Sequence, residues 1–266
     1  KHPSTRCHAM SLAHLSKTLF LILLASSVLL SGCRSSVFVR PPALRQDISH
    51  DQLVQRFEGI AFFNEFTSDE TGLRKRTAPV TWRLETSGGK DAKTSVVRIL
   101  YQLAKLTGLT FTEAQPPERP SLEILIKPRA ELIEHLIKAG STHQGYIYDT
   151  LCWGRYRSAP NGAIMHVLVA IPNHLETGEV ETCLWIEITQ GLGLPNDLDD
   201  LKPSIYSDAP YLTVGRLPWY DAILVRTLYD ARLQPGMSRA RAMPLVRIIL
   251  KELLAKRDRV RKKVSS

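Results

Sequence analysis

Informative cysteine is scarce in this chain. Four cysteines occur among 266 residues, and only Cys152 and Cys183 lie beyond the N-terminal apolar run and the Cys33 that closes it. No Cys-x-x-Cys spacing occurs, so a finger- or ribbon-type zinc site has no ligands. Histidine is as thinly spread: His135, His143, His166 and His174 include no pair four residues apart that one turn of helix would bring onto a metal. The serine-hydrolase elbow Gly-x-Ser-x-Gly, the P-loop and the dinucleotide fingerprint are all missing, which leaves serine hydrolysis and nucleotide chemistry without support. No internal repeat is present. The longest apolar segment, Leu19 to Leu30, is too short to cross a bilayer core of about 30 Å.

That segment nevertheless has the layout of a secretory signal: Lys17 as a positive flank, the apolar run, then small residues before Cys33. Its end, Leu30-Ser31-Gly32-Cys33, resembles the bacterial lipobox, in which the cysteine is lipidated and becomes the first mature residue. An ordinary signal peptide with an incidental cysteine is the other reading. On the lipobox reading residues 1–32 are removed, Met10 is the initiator, and Arg34, where an aspartate would retain the protein at the inner membrane, implies an outer-membrane lipoprotein facing the periplasm. Residues 33–56, with two prolines and little periodicity, read as a lipidated tether. In a compartment that oxidises thiols, Cys152 and Cys183 are expected to form a disulfide, two buried free thiols being the alternative.

Charge is unevenly placed. From Arg239 to Lys263 ten Lys or Arg stand against Glu252 and Asp258, a local +8 out of the chain's +9. Residues 1–33 contribute another +3, so the remaining body is about −2. A basic run usually suggests nucleic acid, but an exported lipoprotein rarely meets any, so no nucleic-acid partner is expected. Anionic lipid, lipopolysaccharide phosphates or an acidic partner are the open choices, beside a merely solvated end. Val246, Ile249, Leu250 and Leu253 share one helical face, and Pro244 suits a first turn, which predicts a helix from near Met243.

The middle of the chain reads as α+β. Val80, Trp82 and Leu84 alternate with polar neighbours in a strand, and residues 91–108 form a helix with Val96, Leu100, Leu103 and Leu106 on one face and Gly108 at its end. Short strands follow in 109–114 and 121–128, separated by the loop Gln115 to Pro120, then a short helix over 130–140. Residues 162–172 make an unbroken apolar strand that expects cover on both faces. A further helix then carries Leu184 to Asp197.

Within it, Ile186-Glu187-Ile188-Thr189-Gln190-Gly191-Leu192-Gly193-Leu194-Pro195-Asn196 is similar to the metzincin zinc motif HExxHxxGxxH. Pro203 to Asp208 resembles the turn beneath the metal in that family, with Tyr206 in the place of methionine. Leu212 to Asp230 resembles the helix that closes the domain, with Asp221, Leu228 and Tyr229 at matching places. The chain also resembles a proteobacterial family of exported proteins whose domain has no assigned function, marked by Glu-x-x-Gln (Glu187, Gln190), Gly-Leu-x-Asn-Asp (Gly193 to Asp197), and late Leu-Tyr-Asp and Pro-Gly-Met segments. The resemblance covers 57–237, leaving 238–266 as a basic C-terminal helix and tail. It implies a metzincin-like domain with a mixed twisted sheet, two main helices and a C-terminal helix.

The departures bear on chemistry. Ile186 offers no lone pair, and Gln190 and Asn196 are weak neutral ligands where zinc prefers histidine, cysteine or carboxylate. Without zinc no bound water is acidified for Glu187, the vestigial general-base position, to deprotonate. No metal and no other cofactor is expected, and a binding or scaffold role for an envelope protein or polymer follows. The alternative is an atypical metal-dependent hydrolase using Glu187. An acidic loop of Asn196, Asp197, Asp199 and Asp200 could hold calcium, although it lacks the spacing of a calcium loop and serves equally as a cap.

Overall fold

The computed structural model describes residues 48–63, 69–87, 91–138, 140, 150–198, 204–207 and 217–265. The expected leader 1–32, Met10, Cys33, Arg34, His143, Asp199 and Asp200 lie outside these described residues. The described residues belong to one compact unit, Asp47–Ser266.

The unit opens with α1 (His50–Ala61), whose start is fixed by a reciprocal cap: Ser49 Oγ accepts from the Gln52 amide at 3.2 Å, and Gln52 Oε1 accepts from the Ser49 amide at 2.9 Å. Residues 50–56 were expected within the tether, and here the structure corrects the sequence reading. Leu53, Phe57 and Ile60 recur at helical spacing and are fully buried, so the segment has a core face that a tether would lack.

The strands and helices then alternate: β1 (Val80–Thr86), α2 (Ala92–Thr107), β2 (Phe111–Glu113), β3 (Leu122–Lys127), α3 (Arg129–Lys138), β4 (Trp153–Ser158), β5 (Ile164–Pro172), α4 (Thr177–Gly191), α5 (Trp219–Leu228) and α6 (Arg239–Ser265). The fold is mixed α+β. Its five strands run in the order β2-β1-β3-β5-β4, all parallel except β4, which pairs antiparallel with β5 at the sheet edge. Among the described residues there are six helices, where two main ones and a C-terminal helix were expected. Gly108, in the left-handed region at φ 75°, closes α2 as its position predicted.

Alternation along each strand divides the core into two layers. Trp82, Ile124, Val167, Val169 and Ile171 join the large cluster shared with α1, α2, α4, α5 and α6, while Leu125, Leu168, Ala170 and Trp153 meet Leu132 and Leu136 of α3 on the other face. β5 is therefore covered on both faces, which accounts for its unbroken apolar run. α6 begins at Arg239, not near Met243. Fully buried Ala242 pins the extra turn, and the Arg241 and Ala242 amides both reach the Ser238 carbonyl, at 3.1 and 3.0 Å.

Candidate functional site

The motif-bearing helix α4 is buried on nearly every side, so its residues are best described by what each one touches. Cys183 is bridged to Cys152, with Cα atoms 6.0 Å apart, so the helix is tied covalently to the residue just before β4. One turn further on, buried Glu187 places its carboxylate against Gly154 of β4, where any Cβ would collide with Oε2. A side chain at 154 would therefore have to displace the Glu187 carboxylate. Ile186 is half-buried against the main core. Gln190 Nε2 donates to Asp197 Oδ1 at 2.9 Å, closing the loop back onto the helix.

The loop after α4 turns at Gly193, whose φ of 123° and contact with the Arg74 carbonyl leave no room for a side chain. Asn196 is bonded to α1: its side-chain amide donates to the Gly59 carbonyl at 3.0 Å and its backbone amide to the Ile60 carbonyl at 3.3 Å, both in the last turn of that helix. The Tyr229 hydroxyl donates to the Leu192 carbonyl at 2.9 Å, capping the end of α4 from just beyond α5. Above the Tyr229 ring, at 5.4 Å, buried Lys75 donates to the Asp230 and Leu233 carbonyls. Burial pulls its pKa down to about 8, partly countered by Asp230.

Beneath the loop lies a buried polar network that the sequence reading missed in part. Asp221 on α5 accepts from Ser204 Oγ and from the Ile205 amide, each at 2.9 Å, while Arg56 of α1 donates to the same Ser204 oxygen at 3.0 Å. Burial pushes the Asp221 carboxyl up to about 7, against the lowering influence of those two bonds and of Arg56. Tyr206 is fully buried within this turn, with its carbonyl accepting from the Leu198 amide at 2.6 Å. Burial, then the Asp221 charge, raise its hydroxyl well above the usual tyrosine range. Arg56 had a legible signal, since it lies on the apolar face of α1 between Leu53 and Ile60. Ser204 and Gly154 had none, because their partners are distant in sequence.

The described histidines do not converge on Glu187. His166 alternates with Val167 on β5 and so faces the α3 side of the sheet, with Nε2 4.0 Å from Glu123 Oε2. Burial and then Arg157 lower its pKa. His135 is on α3, across the sheet from α4, and His174 is exposed beyond β5. Among the described residues no cluster of three or more His, Cys, Asp or Glu is placed to hold a metal. Asp197, the described carboxylate of the acidic loop, is engaged by Gln190.

Compared with known families, residues 50–248 match DUF2927, described as a protein of unknown function. The match starts at the first residue of α1 and ends within α6, so it takes in every strand and the whole surroundings of Glu187. No curated protein matches the chain.

Proposed function

This chain belongs to the DUF2927 family, and we propose that it is an exported envelope protein, anchored by lipid at Cys33 to the periplasmic face of the outer membrane. Its metzincin-like domain has exchanged zinc chemistry for a binding or scaffold role toward an envelope protein or polymer. One observation carries this reading: the positions that would serve a metal are engaged in holding the fold. Ile186 packs on the core, Gln190 bonds Asp197, Asn196 bonds α1, and Glu187 is pressed against Gly154. A donor set of one alkyl group and two amides is a poor match to zinc, whose preferred ligands are imidazole, thiolate and carboxylate.

The metzincin likeness is supported by how the three sequence blocks meet in space. Gly193 packs beside Leu228, the 204–207 turn is held by Asp221, and Tyr229 caps the helix that carries Glu187. The motif has kept its architectural glycine and its glutamate and lost its ligands.

The test is metal content. Protein purified from its own envelope without added metal should contain far less than one zinc per chain, with the same value for Glu187→Gln. Stoichiometric zinc that disappears in Glu187→Gln or Gln190→Ala would overturn the reading and establish the metal-dependent hydrolase in its place. A pull-down of the lipidated protein from the same envelope would then identify what the domain binds.

A further inference from the structure

The final helix presents a basic face along its length. At 100° per residue, Ala242, Val246, Ile249 and Leu250 point into the core, and the opposite side of α6 is made by Arg241, Ile248, Lys251, Arg259 and Lys262, with Lys263 at its edge. All six of these outward residues are exposed. From Arg241 to Lys263 the face extends about 33 Å at the helical rise. The two acids of α6 itself are turned to other cations: Glu252 Oε2 lies 2.6 Å from Arg232 Nη2, and Asp258 Oδ1 lies 3.5 Å from Arg257 Nε. Arg257 itself lies flat on Trp219, 3.6 Å from the ring centroid, and so fixes the far half of the helix to the start of α5. The basic face is therefore rigid and oriented, with less ordering entropy to lose on binding than a flexible tail has.

We propose that this face of α6 lies on an anionic phospholipid surface. The inference rests on the envelope reading above, which brings a membrane within reach of the domain. Its own support is physical. Long flexible cations spread over about 33 Å match a plane of repeated phosphates better than a single anion. Ile248, half exposed, is the one large apolar side chain on this face, so it lacks the clustered aromatic anchors of a protein hot spot. Charge is also segregated: α6 carries +8 while the body between the leader and this helix is about −2, an asymmetry that would turn the helix toward a negative plane.

The experiment uses residues 47–266, which include the whole compact unit and no lipid anchor, so binding is read independently of Cys33. Cosedimentation with phosphatidylglycerol vesicles is compared with phosphatidylcholine vesicles. The parent should bind the anionic vesicles alone and release them at about 1 M salt, where the Debye length is ~3 Å. Arg259→Gln/Lys262→Gln/Lys263→Gln should lower the partition more than tenfold, since each cation contributes on the order of fivefold. Arg119→Gln/Lys138→Gln/Arg226→Gln removes equal charge elsewhere and should bind like the parent. Circular dichroism and melting confirm that each variant is folded. Equal binding to neutral vesicles, an unaffected α6 variant, an equal loss in the control variant, or release by millimolar inorganic phosphate at constant ionic strength would each overturn the proposal. Loss of membrane fractionation on changing Cys33, by contrast, concerns the anchor alone.

Discussion

A single glycine shows how closely the motif residues are fitted. Gly154 faces Glu187 across the α4–β4 contact, and the space a methyl group would need is occupied by the carboxylate. Gly154→Ala should cost about 1–3 kcal/mol in denaturant melts, the usual range for overpacking. If the collision with Glu187 is the cause, Gly154→Ala/Glu187→Ala should cost less than the sum of the two single changes, by about 0.5–3 kcal/mol. Strict additivity would remove that cause. Asp221 offers a second test at this scale. Its folded pKa of about 7 lies above the ordinary 3.8, so the folded chain holds the proton more tightly than the unfolded one. Such a group withdraws stability as pH rises from 3.8 to about 7. Asparagine cannot ionise. The melting temperature of the parent minus that of Asp221→Asn should therefore fall through this window and level off above it; a difference that stays flat from pH 4 to 7 would show that burial is offset by Arg56 and the two hydrogen bonds.

At the scale of elements, α4 is the organising piece. It is covered by β4 and β5 on one side and by α2 on another, and Gly191 allows it to approach Val167 of β5 closely. Its only half-exposed residues after Cys183 are Ile186 and Gln190, two of the positions that stand where the similar zinc motif has its ligands. The disulfide fixes this helix to the edge strand, joining residues 31 apart. Replacing both cysteines by serine should cost roughly 3–4 kcal/mol in the chain-entropy account, and mass mapping of the alkylated, unreduced parent should find the two cysteines bridged. α1 and β4 are the elements that local pattern failed to reveal. β4 is an edge strand whose Trp153 is buried while Gly154, Arg157 and Ser158 are exposed, so it lacks strict alternation. α1 did carry a signal in Ser49 and Gln52, outweighed by its place at the end of a proline-containing segment.

At the scale of the whole molecule, the family match from residue 50 to 248 and the core shared by α1, α2, α4, α5 and α6, with α3 covering the other face of the sheet, describe the unit Asp47–Ser266 as one folded body. No described helix is long and apolar enough to cross a membrane. In the function proposed above, lipid at Cys33 is what attaches the protein to the membrane. Cys33→Ala should shift the protein from the membrane fraction to the soluble periplasmic fraction or leave it uncleaved, read by fractionation and by N-terminal mass. Processing and membrane retention indistinguishable from the parent would remove the anchor from the account.

Local chemistry determined a good deal by itself. Alternation at Val80, Trp82 and Leu84 specified β1, helical spacing with Gly108 specified α2, the apolar run of β5 specified a strand covered on both faces, and the two cysteines beyond Cys33 were expected to form the bridge that the structure contains. Ile186, Gln190 and Asn196 disclosed their weakness as zinc ligands from side-chain type alone. What only tertiary structure decided is which surfaces meet. Periodicity records that a residue faces inward, but the identity of its partner depends on how the chain crosses over. Arg56 meets Ser204 148 residues later, Gly154 makes room for Glu187, and Asn196 turns to α1. Each of these pairings joins separate parts of the chain, so no window of sequence contains the two groups whose fit sets the surroundings of Glu187.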